Sequence, residues 1–176
     1  MAPDTDQLRG RRTGRRLALA AVFEADFGQR TAETILERHL AESERDAVAS
    51  ALARELVDAV VRHRAEIDQQ ITVIAPQYPV TGLAKMDRAL LRTAIGEVLH
   101  SATPARVAIA EWVELARTYS GDPMRRLMNG VLGTIAGRPG SPGTKASIPS
   151  SEEGVSGHNL RPAQEDRRRA ARRRRG

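Results

Sequence analysis

Four arginines, Arg11, Arg12, Arg15 and Arg16, crowd the approach to a segment in which Leu17, Ala18, Ala21, Val22 and Ala25 recur at helical spacing. A guanidinium presents a planar fork of donors that matches phosphate oxygens, and the free amides at a helix N-terminus attract anions as well. Arg12, Arg15 and Arg16 fall within about one turn of each other, with Arg11 beside them in the chain leading in. The chemistry such a group performs is polyanion binding, with RNA as the natural ligand; a solubilising terminus has the same composition. A second basic pair, Arg125 and Arg126, follows Met124 and precedes Leu127 and Met128. It reads either as a further phosphate contact or as the solvent face of a last helix. Trp112, the single tryptophan, sits on an amphipathic pattern and reads as core or interface rather than as a base-stacking platform.

Catalytic constellations are missing from the pattern. His39, His63, His100 and His158 stand apart in the sequence, and none falls in an H-E-x-x-H arrangement or beside a second metal ligand, so no metal is expected. The stretch GDPMRRLMNG lacks the spacing of a phosphate-binding loop, and no G-x-S-x-G elbow occurs. The Glu152–Glu153 pair lies in a polar, flexible-looking stretch. No enzyme activity and no cofactor are expected. The absence of cysteine excludes disulfides and thiolate metal sites and points to the cytoplasm. No run approaches the roughly 20 apolar residues that span a bilayer, and Glu24 and Asp26 break the first apolar segment too early for a signal peptide.

The elements that must position the arginines are helices. Ala and Leu dominate the apolar content and aromatics make up only 3% of the residues, which favours an all-α fold. Residues 1–10 read as a flexible N-terminus, with the first helix from about Arg15 to Gly28. Thr31 caps a second helix bearing Ile35, Leu36 and Leu40. Val48, Leu52, Leu56 and Val60 line a third, from about Asp46 to His63, and Ile67, Ile71 and Ile74 continue the spacing until Pro76 and Pro79 interrupt it. Leu83, Met86, Leu90, Leu91, Ile95, Val98 and Leu99 carry a stripe wide enough for the centre of a bundle. Two more helices follow, one opened near Pro104 and one near Pro123, closed by Gly137. The expectation is about seven helices in one domain over 11–136, with helical halves at about 11–75 and 80–136.

Beyond Gly137 the periodicity stops, and residues 137–176 read as a disordered basic tail rich in Pro, Gly, Ser and Arg. The formal net charge is +6, and this tail, with 10 Lys and Arg against 4 Asp and Glu, carries all of it. The remainder is a slightly acidic body with a basic N-terminal patch.

The stretch from Met86 to Ala136 resembles the C-terminal half of the NusB family. Its motifs occur in order: D-R-x-x-L-R-x-A-x-x-E, P-x-x-V-A-I-x-E-x-x-E-L-A-R and N-G-V-L-G. The N-terminal R-R-x-x-R-R-L-A-L-A-A-V-F is similar to the family's arginine-led first helix, and the resemblance spans residues 11–136. It implies two helical subdomains and a transcription antitermination role: binding boxA RNA with NusE, a small-subunit ribosomal protein, and acting indirectly on RNA polymerase with other Nus factors. By the same resemblance Arg11, Arg12 and Arg15 engage boxA RNA, Arg125 and Arg126 occupy basic positions ahead of N-G-V-L, and Phe23 and Asp87 face the protein partner. Family-like domains also self-associate, so monomer and homodimer both stand open. The chain departs from the family pattern at Gly96 (usually Tyr), at Ala110 (usually Asn) and at Leu127–Met128 (usually Phe–Val). Loss of the aromatic removes a possible base-stacking surface. The competing reading is a helical protein-interaction module without specific RNA binding.

Overall fold

The computed structural model describes residues 5–42 and 46–138. Among them seven α-helices follow one another: α1 (Thr5–Ala25), α2 (Ala32–Glu42), α3 (Ala47–Arg62), α4 (Arg64–Ile74), α5 (Lys85–His100), α6 (Ala105–Ser120) and α7 (Asp122–Ala136). A 3-10 turn, Val80–Gly82, lies between α4 and α5, and no strand occurs among the described residues. The all-α expectation therefore holds. The tail expected to be disordered lies, apart from Gly137 and Arg138, outside the described residues.

Local chemistry accounts for most boundaries. Asp46 accepts hydrogen bonds from the amides of Val48 and Ala49 at 2.9 and 3.1 Å and starts α3, a cap worth about 1 kcal/mol. Thr31 Oγ1 accepts from the Thr34 amide at the start of α2. Gly121, at φ 92°, lets α7 begin directly after α6, and Pro123 occupies the first turn of α7, where its missing amide costs nothing.

The first helix begins far earlier than its apolar pattern indicates. Residues 5–10, expected to be flexible, form the opening turns of α1. The cause is tertiary: Gly10 and Gly14, one turn apart, are both buried against the N-terminal end of α3. A Cβ at Gly10 would lie 2.8 Å from Asp46 Oδ2, and one at Gly14 would lie 2.7 Å from the Ala49 carbonyl oxygen. Glycines that weaken a helix in isolation thus permit a close crossing, and the packing overrides the propensity.

At the centre runs α5, whose residues Ala89 to Val98 are all buried. Helices α1, α3, α4, α6 and α7 surround it, and one hydrophobic cluster draws on all seven helices. The two expected halves therefore share a core. Gly96 faces α3 and α4, where a Cβ would sit 3.3 Å from Val60 Cγ2 and 3.7 Å from Ile67 Cδ1. The motif arginines of α5 are structural: Arg88 and Arg92 donate to Asp26 at 2.8 and 3.1 Å, and Arg92 also pairs with Asp68 at 2.8 Å. These bonds fasten the end of α1 and the middle of α4 to the central helix.

Gly133 offers a contrast with the crowded glycines. It lies exposed in α7 with nothing within 4 Å of where a Cβ would be. Gly133→Ala should stabilise the protein by about 0.5–1 kcal/mol through lost unfolded-state entropy, read as a higher urea midpoint at unchanged slope.

Candidate nucleic-acid interface

The first helix lays its arginines along α5 and α6, and the structure sorts them by face. Arg12 and Arg16 are exposed and line one groove with Ala110, Glu111, Glu114, Leu115 and Thr118 of α6. Arg12 donates to both carboxylate oxygens of Glu111 at 3.1–3.2 Å, and this bond, with the carboxylate's charge, raises its already high pKa. Arg16 has no ion pair among the described residues. Arg11 is half-buried and donates to Thr103 Oγ1 at 2.6 Å, at the turn between α5 and α6. Arg106, an exposed cation in the first turn of α6, was flagged by no motif.

Arg15 is placed differently from the expectation. Its side chain is 2% exposed, and Nε and Nη2 donate to Glu97 of α5 at 2.9 and 2.7 Å. Glu97 is fully buried and also accepts from Trp112 Nε1 of α6 at 2.6 Å. One carboxylate thereby satisfies an arginine and a tryptophan from two different helices. The reason Arg15 turns inward is geometric: with Ala18, Leu19 and Val22 it continues the buried stripe of α1, whereas Arg12 and Arg16 lie off that stripe. So enclosed, the guanidinium presents no exposed donor edge at the surface. It fixes the register of α1 against α5 and so positions its exposed neighbours.

The second basic pair does not join this groove. Arg125 donates to Asp122 within the first turn of α7. Arg126 is exposed and lines a separate groove between α4 and α7 with Gln77, Tyr78, Leu127 and Gly130. Tyr78 is 43% exposed there, an aromatic surface in the APQYP joint that the sequence patterns did not single out. Leu127, where an aromatic is usual, is only partly buried against the core.

The two residues expected to face a protein partner lie near the other end of α1. Phe23 meets Phe27 edge to face at 5.4 Å, and Phe27, 55% exposed, carries Lys85 Nζ 3.8 Å above its ring. Asp87, in the first turn of α5, accepts a hydrogen bond from Ser120 Oγ at the end of α6.

Against known proteins, the family model described as the NusB family matches residues 12–137. The chain belongs to the NusB family. It is 36% identical over 127 residues to the transcription antitermination protein NusB of Dehalococcoides mccartyi (strain ATCC BAA-2266 / KCTC 15142 / 195), covering 72% of this chain and 89% of that protein. The Symbiobacterium thermophilum protein of the same name is 38% identical, over 78% of this chain and 97% of its own. Among solved structures, NusB of T. maritima superposes with a TM-score of 0.65 at 28% identity, covering 72% and 89% of the two chains. A structure of the antitermination factors NusB and NusE in complex with dsRNA gives 0.62 at 26% identity, over 73% and 96%.

Within the NusB frame the motif residues divide cleanly. Glu97, Arg88 and Arg92 of the first C-terminal motif are buried or half-buried fasteners, and Ala110, at the family's usual Asn, is exposed along the Arg12–Arg16 groove. No helix among the described residues is long and apolar enough to cross a membrane.

Proposed function

We propose that this protein is a transcription antitermination factor that binds boxA RNA together with NusE, supporting transcription of ribosomal RNA operons through RNA polymerase and the other Nus factors. It acts in the cytoplasm as a binding platform, without catalysis. The observation that carries the reading is the pair of exposed arginines, Arg12 and Arg16, along an α6 groove in a chain of the NusB family. The likeness to a NusB solved with NusE and dsRNA supports the choice of partners. Arg12 and Arg16 supply phosphate contacts, Arg11 extends them, Arg126 supplies a separate contact beside Tyr78, and Arg15 acts by holding α1 in place. Glu111 keeps the Arg12 guanidinium oriented until a phosphate replaces it. Phe23 and Asp87 belong to the face that meets NusE.

Phosphate contacts alone carry no sequence information, so the preference for boxA must come from unstacked bases and from the partner. The test is binding of the full chain to boxA RNA and to a scrambled RNA of equal length, with and without NusE, across a salt series. NusE should sharpen the preference for boxA. Arg12→Ala with Arg16→Ala should weaken binding to both RNAs and lower the slope of log affinity against log salt by about 1.4, at ~0.7 for each single-strand phosphate contact. Equal, weak binding to both RNAs in every condition would replace this reading with a protein-interaction module.

A further inference from the structure

The histidines that stand apart in the sequence do not stand apart in the fold. His63 caps the end of α3 and the start of α4, Glu66 lies in the first turn of α4, and His100 is the last residue of α5. The two imidazoles stack with centroids 3.7 Å apart and planes 7° from parallel. One carboxylate oxygen approaches both: Glu66 Oε2 is 3.4 Å from His63 Nδ1 and 3.4 Å from His100 Nε2. All three potential ligand atoms lie within 4.8 Å of one another.

We propose that His63, Glu66 and His100 form a binding site for a divalent transition metal ion, zinc foremost, with water in the fourth position. Distance is the first argument. Zinc–ligand bonds of about 2.0–2.2 Å require ligand atoms about 3.3–3.6 Å apart at the corners of a tetrahedron. Both nitrogen–oxygen separations fall in that range, whereas 3.4 Å is long for a hydrogen bond. Unsatisfied chemistry is the second: His100 Nε2 is buried, and its nearest acceptor, Glu66 Oε2 at 3.4 Å, does not satisfy it in hydrogen-bond geometry, an arrangement that needs a reason. Two imidazoles and a carboxylate are a ligand set zinc accepts. Their half-open setting, with His63, Glu66 and His100 side chains 40%, 48% and 21% exposed, gives an ion access. Seating it requires the two rings to leave their stack by turning about their Cβ–Cγ bonds, a torsion whose wells are broad. The ion would clamp the α3–α4 corner to the end of α5, on residues that the arginine groove does not use.

Metal-free full-length chain, prepared with a chelator and then freed of it, decides the matter. Zinc titrated in competition with a chromophoric chelator should bind at one ion per chain, and cobalt should give the strong visible absorption of a tetrahedral site. His63→Gln, Glu66→Gln and His100→Gln should each weaken zinc binding at least about tenfold, since even outer-shell losses cost 10–100-fold. A His39→Gln, His158→Gln chain should bind as the parent does. Thermal denaturation without metal checks that the variants fold; if His100→Gln does not, the more exposed His63→Gln settles the outcome. Zinc that fails to bind, or binds His63→Gln as tightly as the parent, overturns the proposal and leaves an adventitious ion only.

Discussion

Glu97→Ala should destabilise the protein by about 3–5 kcal/mol, the usual consequence of removing one partner of a buried ion pair. The carboxylate is fully buried, accepts two bonds from Arg15 and one from Trp112, and has no solvent to replace them. Its removal leaves a guanidinium whose side chain is 2% exposed with only Glu111, 3.9 Å away, as a carboxylate partner and leaves the indole N–H unpaired. A loss of this size is comparable to the whole stability of many domains of this length, so urea denaturation followed by circular dichroism should show a large drop in midpoint or no folded baseline. Removing both charges tests the cause. Glu97→Leu combined with Arg15→Met should recover most of the loss, because apolar residues of similar size replace buried pairs at little cost. Recovery should stop short by about 1–3 kcal/mol, the penalty for the unpaired Trp112 N–H. If the double variant is no more stable than Glu97→Ala, stranded charge is not what destabilises it.

The same double variant separates two roles for Arg15. As a direct phosphate ligand, its loss would lower RNA affinity and the salt slope even in a chain that folds. As a residue that positions α1, its replacement leaves Arg12 and Arg16 on the surface, and the slope stays that of the parent. The enclosed geometry predicts the second outcome.

Much of this arrangement could be read from the residues. The stripes of α3, α5, α6 and α7 are long and periodic, and the cap at Thr31 and the breaks at Pro76 and Pro79 have local chemical causes. Arg12, Arg15 and Arg16 share a composition but not an environment, and what distinguishes them is angular. Followed backwards, the stripe of Val22, Leu19 and Ala18 reaches Arg15, while Arg12 and Arg16, one turn apart, lie together to one side of it. An arginine on that stripe needs a buried acid, and Glu97 is the acid inside the most continuously buried helix. The histidine cluster was less visible. His63 and Glu66 have H-x-x-E spacing across a helix corner, but His100 arrives only through the packing of α5 against α3 and α4. The start of α1 was hidden for a different reason: Gly10 and Gly14 weaken a helix locally, and only the neighbouring helix turns that weakness into a fit.

Gly14→Val should cost at least as much as the upper end of the ~1–3 kcal/mol typical of overpacking. A Cβ at this position meets the Ala49 carbonyl oxygen at 2.7 Å, Leu52 Cβ at 3.1 Å and Ala49 Cα at 3.3 Å. None is the far end of a flexible side chain, so α1 and α3 must separate, and the buried Ala18 and Ala21, on the same face of α1 as Gly14, lose packing. Gly14→Ala isolates the first contact. Helix propensity favours alanine by about 1 kcal/mol, yet the backbone clash should outweigh it and give a net loss, opposite in sign to the gain expected for Gly133→Ala. Two identical substitutions in helices of one protein would then differ only in what stands opposite. If Gly14→Ala is stabilising, α1 does not cross α3 as closely as described. The consequence extends to the arginines, because Arg12 and Arg16 flank Gly14 on the same turns. A shift of α1 away from α3 changes their separation from Glu111 and the α6 groove. Gly14→Val should therefore weaken RNA binding under conditions where the variant is still folded, although residue 14 itself offers no group to RNA.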